Sequence, residues 1–505
     1  MMPALAASVP VAVIGAGTMG SGIAQVAAAA GHPVLLYDAD AAAAANAQER
    51  IAGALDRAVD KGRLSSEKRD DMRARIKPCR SLDAVAPAGL VIEAIVEDLD
   101  AKLRLLETLE IFLRVDAILA SNTSSLSITD LAARLKHPGR VVGMHFFNPA
   151  PVMALVEVVR GLATAPEVVE TVSATAEAWG KTAVVCRSTP GFVVNRVARP
   201  FYGEALRALA EGAADVATID AIMRDAGGFR MGPFELIDLI GLDVNLAVSQ
   251  SIHDAHFGDP RYTPSLIQRE MVAAGRLGRK SGLGFYDHSP EAATSASQVA
   301  AATPAPPLIM VEGDLGIAEP LLERWRAAGI EINRRWGEGV IRIGDARLAL
   351  TDGRGATLWS ELLQAPVILF DLAFDFASCP RIALGPADQA SVGDRDRAVG
   401  LMQAAGMAVS VLDDFPGLLV MRTVAMLANE AADAVHTGVA SADAVDRAMR
   451  LGVNYPNGPL AWAEAIGLGR VCDVLDHLAR TYGEDRYRAS WLLRRKALAK
   501  QTFHG

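Results

Sequence analysis

The sequence predicts an α/β domain, then an all-α domain, and then a degenerate α/β segment with a second all-α domain. Three observations support this fold class. Apolar strands alternate with helical stretches up to about residue 187, strand signals nearly vanish between Pro190-Gly191 and about residue 288, and the later part of the chain repeats this helical part. A chain of 505 residues also exceeds what one hydrophobic core organises, so several domains are expected.

The first domain is predicted to span residues 1–188 as an open, doubly wound parallel sheet. Its strands are the segments VAVIG, PVLLYD, AGLVIEAI, AILASN, VVGMHFF and TAVVC, with helical stretches between them. Strands that alternate with helices are typical of parallel sheets. The chain then continues as a helical domain over residues 189–288 and a small, proline-bearing linker over residues 289–307.

A glycine-rich turn lies between the first strand and the first helix. Its G-x-G-x-x-G run allows a tight turn, close approach of a pyrophosphate to the backbone, and packing of the helix on the strand. A carboxylate that could bind ribose hydroxyls ends the second strand, so we predict a Rossmann domain that binds NAD on the helix N-terminus. For the glycine run alone, a packing turn is the alternative. The predicted contacts are Gly15, Gly17, Thr18, Met19, Gly20 and Asp38.

The second half contains a copy of the helical domain. A constant shift of 226 positions aligns a series of identical residues, and one deleted residue later Arg486-Tyr487 matches Arg261-Tyr262. The matches at that shift are Pro190-Gly191 with Pro416-Gly417, Arg196 with Arg422, Glu204 with Glu430, Gly232-Pro233 with Gly458-Pro459, and Gly241-Leu242 with Gly467-Leu468. We therefore predict a second helical domain over residues 413–505. Residues 308–412 before it form a degenerate α/β segment with the strands PLIMVEG, APVILFDLAF, RIALGP and MAVSVLD and no G-x-G-x-x-G run.

Composition and charge exclude several classes of protein. The chain carries 50 basic and 59 acidic residues and has no Lys/Arg block, which argues against a nucleic-acid partner. No apolar run approaches the ~20 residues that span a bilayer, so no membrane association is expected, and the N-terminus lacks the basic region of an export signal. The four cysteines lie far apart without metal-ligand spacing, which favours a metal-free protein of the cytoplasm.

Polar residues near the later strands indicate a reaction site. We expect Ser124, His145 and Asn148 just past strand ends, where open parallel sheets bind ligands. A histidine held by a buried Glu157 could take a hydroxyl proton while hydride leaves the carbon, and Ser124 and Asn195 could bind the reacting oxygen. These residues could also have purely structural roles. His145 could be a hydrogen-bonded histidine of the core, the SNTSS residues could stabilise a turn or cap a helix, and Asn195 could cap a helix.

Together these motifs resemble the 3-hydroxyacyl-CoA dehydrogenase family. The segments GAGTMGSGIA, EAIVED, SNTSSLSI, GMHFFNPAPVMALVEVV, STPGFVVNRV, GGFRMGPFELIDLIGLD and GRKSGLGFY occur in that family's order over residues 9–287. The resemblance implies NAD-dependent oxidation of an (S)-3-hydroxyacyl-CoA, such as 3-hydroxybutyryl- or 3-hydroxyadipyl-CoA, in fatty-acid or aromatic-acid catabolism. It implies that His145 is the base, Glu157 its partner, and Ser124 and Asn195 contacts of the substrate oxygen. The cofactor contacts that it implies are Asp38, Glu97, Lys102, Asn122, Ser124, Asn148 and Lys280.

The resemblance also bears on assembly and on the second copy. Other family members pair their helical domain with a second subunit, so the duplication is expected to build that contact within one chain, with a larger homo-oligomer left open. Met421 stands where Asn195 stands in the first copy, which predicts a second half without chemistry. Lys61, with Arg63, is a candidate contact for the phosphates of the acyl-CoA substrate; a solvated helix face is the alternative.

Two other functions compete with this interpretation. A short hydroxyacid or sugar-acid dehydrogenase would also join a dinucleotide domain to a helical one, but such families usually place a lysine as the catalytic residue. A non-catalytic dinucleotide-binding protein on the same fold is disfavoured by the intact set of Ser124, His145, Glu157 and Asn195. An assay of NADH formation with 3-hydroxybutyryl-CoA separates the three functions.

Overall fold

The computed structural model describes residues 2–293 and 295–505, which group into two compact units. The first unit contains the chain up to Arg196 together with residues 438–453. The second unit contains residues 197–437 and 454–505. A short piece of the second helical copy therefore belongs to the first unit.

An eight-stranded sheet forms the centre of the first unit, in the order β3-β2-β1-β4-β5-β6-β7-β8. Its strands are β1 (Val11–Ile14), β2 (Val34–Tyr37), β3 (Ile76–Pro78), β4 (Leu90–Glu93), β5 (Ile118–Ser121), β6 (Val141–Phe146), β7 (Leu155–Arg160) and β8 (Thr182–Arg187). The predicted doubly wound sheet is confirmed. It is not wholly parallel, however, because β6 and β7 run antiparallel through a connection too short for a crossover helix.

Two strands of this sheet were not among those predicted from the sequence. Strand β3 has only three residues, and the sequence Ile76-Lys77-Pro78 gives no apolar run. Strand β7 lies in LVEVV, where Glu157 interrupts the apolar pattern. In both cases the strand forms because its backbone pairs with a neighbouring strand. The local sequence pattern does not reveal that pairing.

Helices cover the first sheet. They are α1 (Thr18–Ala29), α2 (Ala41–Asp60), α3 (Ser66–Arg75), α4 (Leu99–Phe112), α5 (Ile128–Ala132), α6 (Pro166–Ala178), α7 (Val194–Val197) and, from the second copy, α17 (Ala442–Gly452). Helix α1 is rich in glycine and alanine, so it packs closely on the sheet. The core there includes Ile23 and Ala27 against Val11 and Val13, all fully buried.

Helix α17 is unexpected in the first unit, since its sequence belongs to the second helical copy. It packs against β7 and β8. Just before it, the Val439 carbonyl accepts a hydrogen bond from the N–H of Arg187 (2.9 Å). A Cβ at Gly452 would lie 2.8 Å from the Leu155 side chain, so only glycine permits this approach without rearrangement.

A seven-stranded sheet forms the α/β part of the second unit, in the order β10-β9-β11-β12-β13-β14-β15. Its strands are β9 (Leu308–Glu312), β10 (Glu331–Arg335), β11 (Val340–Ile343), β12 (Ala346–Leu350), β13 (Val367–Phe370), β14 (Arg381–Pro386) and β15 (Ala408–Val411). The four strands predicted from the sequence are β9, β13, β14 and β15. Strands β10 to β12 were not predicted, because arginines interrupt their apolar residues and β10 is mostly exposed.

The helices of the second unit come from both copies. They are α8 (Arg199–Ala210), α9 (Val216–Asp225), α10 (Pro233–Ile240), α11 (Leu242–Ala255), α12 (Leu266–Ala273), α13 (Leu321–Ala327), α14 (Ala356–Leu363), α15 (Val392–Ala404), α16 (Val420–His436), α18 (Pro459–Ile466), α19 (Leu468–Tyr482) and α20 (Trp491–Ala499). Helix α9 packs against β14, with Arg381 Nε 2.9 Å from Asp225 Oδ2. Because α9 and α17 are equivalent in the repeat, each copy's helix lies on the other copy's sheet.

The repeat extends further toward the N-terminus than the sequence comparison indicated. Strand β14 (Arg381–Pro386) lies 226 positions after β7 (Leu155–Arg160), and α15 has the same shift from α6. Side chains differ in this region, so only the backbone preserves the match. The α/β segment is therefore a reduced copy of the later part of the first domain.

Matched residues of the two helical copies meet within the second unit. Helix α8 packs on α16, where the buried guanidinium of Arg422 donates from Nε to Glu204 (2.5 Å). In the counterpart position, the hydroxyl of Tyr262 donates to Glu430 (2.6 Å). Charged groups buried in this way require partners, so each copy supplies groups that the other needs.

Candidate active site

The glycine-rich turn between β1 and α1 has the geometry of a phosphate-binding loop. Gly15 has a φ of +104°, and a Cβ there would lie 2.5 Å from the carbonyl oxygen of Ala94. A Cβ at Gly20 would overlap the carbonyl oxygen of Gly15. At Gly17, by contrast, a Cβ would meet no atom within 4 Å, so space is open at the position where a pyrophosphate is expected.

The start of α1 fits an anionic ligand. Its first residues are Thr18 and Met19, its N-cap Gly17 supplies no side-chain cap, and its first turn contains no acidic residue. The N–H groups of this turn and the helix dipole therefore favour a phosphate. At the end of β2, Asp38 accepts a hydrogen bond from the N–H of Ala16 (2.7 Å), which holds the carboxylate at this loop. These residues fit the NAD dinucleotide, which would place its pyrophosphate on α1 and its ribose at Asp38.

Arg50 also contacts this loop, although no sequence motif points to it. The residue lies on α2, and its Nη2 donates to the carbonyl of Ala16 (2.5 Å). Only the packing of α2 beside α1 brings the guanidinium to the loop. This hydrogen bond holds the backbone of Ala16, the residue between Gly15 and Gly17, in place.

A buried histidine–carboxylate pair lies where β6 and β7 face each other. His145 and Glu157 are directly paired in the antiparallel register, and Glu157 Oε2 lies 2.7 Å from His145 Nδ1. The other carboxylate oxygen accepts from the N–H groups of Val193 (3.0 Å) and Val194 (2.9 Å). The side chain of Glu157 is fully buried and that of His145 is 7% exposed. His145 is the fifth residue of β6, so the expectation that it follows the strand is wrong.

This pair has a defined chemical consequence. Because Nδ1 is taken by the carboxylate, Nε2 is the ring nitrogen that remains for a substrate. Two aromatic rings flank the imidazole, with centroid distances of 4.6 Å to Phe147 and 5.8 Å to Phe192. The sequence analysis did not single out these rings, since phenylalanines beside apolar strands are normally assigned to the core.

Glu97 organises the loop that follows β5. It accepts hydrogen bonds from the Thr123 hydroxyl (2.6 Å), the Ser124 N–H (2.9 Å) and the Ser125 N–H (3.1 Å). Burial by itself raises the pKa of Glu97, but the charge of Lys102 and the hydrogen bonds from this loop outweigh burial and leave the pKa lowered. Glu97 is therefore an ionised anchor for the loop that carries Ser124.

Lys102 is buried between two carboxylates. Its ammonium lies 2.6 Å from Glu93 Oε1 and 3.2 Å from Glu97 Oε2, and its side chain is 1% exposed. Glu93 also accepts from the Ser121 hydroxyl (2.5 Å). In this geometry Lys102 holds Glu97 in place, whereas the resemblance implies that it contacts the cofactor.

Three asparagines predicted for the site have different surroundings. The amide oxygen of Asn122 accepts from the N–H of Phe146 (2.8 Å), which ties the end of β5 to β6. Asn148 is exposed two residues after the end of β6. Asn195 follows the two residues that donate to Glu157, and its Nδ2 lies 3.5 Å from the Ser124 carbonyl oxygen. These contacts link Glu157, Asn195 and Ser124 into one constellation.

Lys61 and Lys280 take no part in the contacts described above. Lys61 is exposed at the C-terminal end of α2 in the first unit. Lys280 belongs to the second unit, where its Nζ pairs with Asp243 Oδ1 (2.5 Å). Within the described parts of the chain, no cluster of three or more His, Cys, Asp or Glu side chains could hold a metal ion. No helix there has the length and apolar character needed to cross a membrane.

The second copy lacks the histidine–glutamate pair of the candidate site. At the shift of 226 positions, Asp371 stands at the position of His145 and Ala383 at that of Glu157, and the N–H of Asp371 donates to the Ala383 carbonyl (3.0 Å). The Asp371 carboxylate accepts from Leu419, Val420 and Met421 N–H at 2.8 to 2.9 Å, the counterparts of the turn held by Glu157. The second copy therefore keeps the strand pairing and the held turn of the candidate site but has no histidine at the position of His145.

Family comparison covers most of the chain. Residues 10–189 match the 3-hydroxyacyl-CoA dehydrogenase NAD-binding domain, and residues 191–288 and 417–502 each match the C-terminal domain of that family. Residues 348–416 match a 3-hydroxybutyryl-CoA dehydrogenase reduced Rossmann-fold domain.

Individual relatives resemble the whole chain or its first part. A 3-hydroxyadipyl-CoA dehydrogenase of Escherichia coli K12 is 45% identical over 494 residues, 98% of each protein. A probable 3-hydroxybutyryl-CoA dehydrogenase of Bacillus subtilis is 46% identical over 276 residues, which are 55% of this chain and 96% of that protein. The crystal structure of a 3-hydroxybutyryl-CoA dehydrogenase from E. coli K12 superimposes with a TM-score of 0.90 at 45% identity and covers 97% of this chain and 98% of the other.

Proposed function

Because this chain belongs to the 3-hydroxyacyl-CoA dehydrogenase family of NAD-dependent oxidoreductases, we propose that it oxidises (S)-3-hydroxyacyl-CoA to 3-oxoacyl-CoA. The names of its relatives support 3-hydroxybutyryl-CoA or 3-hydroxyadipyl-CoA as the substrate, in fatty-acid or aromatic-acid catabolism. The observation that carries the proposal is the 2.7 Å contact between Glu157 and His145 Nδ1, which leaves Nε2 to act as a base.

His145 Nε2 accepts the proton of the 3-hydroxyl group while the hydrogen on C3 leaves as hydride. Bound NAD supplies the hydride acceptor. The imidazolium formed in this step is stabilised by the fully buried carboxylate of Glu157. Backbone donors from Val193 and Val194 fix that carboxylate, so it does not turn away when His145 is protonated.

Ser124 and Asn195 act on the substrate oxygen in this proposal. Their hydroxyl and amide groups hydrogen-bond the oxygen as it changes from hydroxyl to carbonyl. The 3.5 Å separation of Asn195 Nδ2 from the Ser124 carbonyl oxygen and the anchoring of Ser124 by Glu97 support a joint role. Glu97, Lys102, Asn122, Asn148 and Lys280 are proposed to bind or position the cofactor.

The substrate is tested by following NADH formation with 3-hydroxybutyryl-CoA, 3-hydroxyadipyl-CoA and longer acyl-CoAs. His145→Ala is expected to lower kcat by about 10²–10⁴-fold and to leave NADH affinity nearly unchanged, because the residue acts on the proton. His137→Ala, an exposed histidine in the same unit, serves as the matched control. Turnover of His145→Ala near that of the control would refute the mechanism.

We also propose that the two helical copies pair with each other within one chain. Two contacts support this pairing. Glu204 of the first copy binds Arg422 of the second, and the matched Glu430 of the second copy binds Tyr262 of the first. A cytoplasmic location is proposed as well. It is supported by the four cysteines, which are free thiols as a reducing compartment requires.

A further inference from the structure

A cavity of about 280 Å³ lies within the second unit. It is smaller than the ~300–1,000 Å³ of typical small-molecule pockets, so it suits a small ligand. Helix α8, part of α11, the start of α12 and the matched turns Pro260–Tyr262 and Asp485–Tyr487 enclose it. None of the candidate active-site residues lines it. Its charged lining residues are Arg199, Glu204, Arg207, Glu211, Arg261 and Arg486.

Two of these arginines are equivalent in the repeat. Arg261 comes from the first copy and Arg486 from the second, and each residue is only 8% exposed. In both, the Nε donor is buried and has no hydrogen-bond partner in the described chain. A buried donor without an acceptor destabilises the fold, and the cost is larger when the group is charged. The coincidence of two such donors at one cavity therefore requires an explanation.

Arg486 is the less satisfied of the two. Within residues 2–293 and 295–505 its side chain forms one ion pair, from Nε to Glu484 Oε2 at 3.6 Å, which is too long for a hydrogen bond. Glu484 is already held by both terminal nitrogens of Arg207, at 3.0 and 3.4 Å. Arg486 is thus a nearly buried cation that shares a carboxylate with another arginine.

The acidic residues of the lining are also occupied. Glu204 receives Arg422 Nε at 2.5 Å, and Glu211 accepts from the hydroxyl of Tyr482 at 2.7 Å. Glu204 therefore shares its charge among Arg422, Arg486 and Arg207, and no carboxylate of the wall is paired with Arg486 alone. The wall contains four arginines and two glutamates, and the acidic partners of Arg207 and Arg261, which are Glu484, Glu430 and Asp433, lie outside the wall.

We propose that this cavity binds a small oxyanion, a phosphate or carboxylate group, between the matched turns of the two copies. Guanidinium groups present parallel N–H donors that fit both kinds of group and form strong charge-assisted hydrogen bonds with them. A ligand at this place bridges Arg261 of one copy and Arg486 of the other. It therefore stabilises the pairing of the copies and links that pairing to the concentration of the anion.

Calorimetric titration of the full-length protein with inorganic phosphate and with succinate tests the proposal. Saturating NADH blocks the glycine loop, and sodium chloride at equal ionic strength controls for screening. We expect Arg486→Gln and Arg261→Gln to weaken binding at least about tenfold, since each removes a charge-assisted hydrogen bond. Arg495→Gln, which changes an exposed arginine of the same unit, is expected to bind as the wild type does.

Thermal unfolding gives a second readout that does not depend on catalysis. At ~100 times its Kd, the anion is expected to raise Tm by about 5 °C in the wild type and in Arg495→Gln, but not in Arg486→Gln. Binding of phosphate alone or of succinate alone identifies which oxyanion the site takes. No response to either anion, or an equal response in Arg486→Gln, would overturn the proposal.

Discussion

Replacing Glu157 by glutamine separates its two structural contacts from its charge. In the wild type, the carboxylate of Glu157 accepts hydrogen bonds from His145 Nδ1 (2.7 Å) and from the N–H groups of Val193 and Val194. A glutamine has one accepting oxygen and one donating amide. If the oxygen keeps the two backbone donors, the amide faces Nδ1 and forces the neutral imidazole to carry its proton on Nε2. That tautomer is unable to accept the substrate proton.

The size of the effect follows from these contacts. A hydrogen bond to a charged group contributes about 1.5–3 kcal/mol, which corresponds to a ~10–150-fold loss of rate when it is missing in the transition state. The wrong tautomer adds to this loss; in a serine protease the equivalent change of aspartate to asparagine costs ~10⁴-fold. We therefore expect Glu157→Gln to lower kcat by about 10²–10⁴-fold, with no more effect than removal of His145.

The assay combines initial rates of NADH formation with NADH titration and calorimetric unfolding. NADH affinity and Tm are expected to stay near the wild-type values, because the two backbone donors keep their acceptor. Glu177→Gln, an exposed position of α6, is the matched control. A Glu157→Gln enzyme that folds normally and keeps the turnover of this control would show that the charge and tautomer argument is wrong.

Four further predictions concern the cofactor, the second copy and the substrate. NAD is expected to be preferred over NADP at least about tenfold, because Asp38 and Asp40 would repel a 2′-phosphate; equal kcat/KM for the two would contradict the role of Asp38. Titration should give one NADH per chain, because the second copy lacks the glycine run; two sites per chain would refute this. Removing the charges of Lys61 and Arg63 should raise KM for acyl-CoA but not for an acyl-pantetheine thioester, and equal changes in both would exclude a phosphate contact. Burial raises the pKa of Asp371 from 3.8 to about 6 although backbone N–H groups oppose it, so the folded chain binds more protons than the unfolded chain between these values. The contribution of Asp371 to stability therefore declines as pH rises through that window, by about 3 kcal/mol in all; the unfolding free energy of Asp371→Asn should lack this decline, and an unchanged slope between pH 4 and 6 would contradict the assignment.

Much of the candidate site could be predicted because its signals are local. The G-x-G-x-x-G run follows a strand and precedes a helix in sequence, and one turn contains the whole motif. Glu157 was informative because a carboxylate in an apolar strand needs a partner. His145 lies directly opposite it in the antiparallel pair. The error over the place of His145 in its strand arose because element ends depend on neighbouring strands.

Other features depend on residues that are far apart in the chain. Nothing near Arg50 in the sequence indicates that it reaches the carbonyl of Ala16. The exchange of α9 and α17 between the two sheets has no local signature, since an amphipathic helix specifies an apolar face and not the surface that covers it. The substitution of Asp371 for His145 became visible only when the matching strands fixed the alignment.

The sequence by itself determined the dinucleotide domain, the duplication of the helical domain and the residue types of the candidate site, because each is encoded in a short pattern or a constant shift. The tertiary structure decided which atoms meet. It placed Glu157 on Nδ1 of His145 and Lys102 between Glu93 and Glu97, and it brought Arg261 and Arg486 to one cavity. Contacts of this kind depend on distances of a few ångströms between segments whose separation in the chain carries no information about their separation in space.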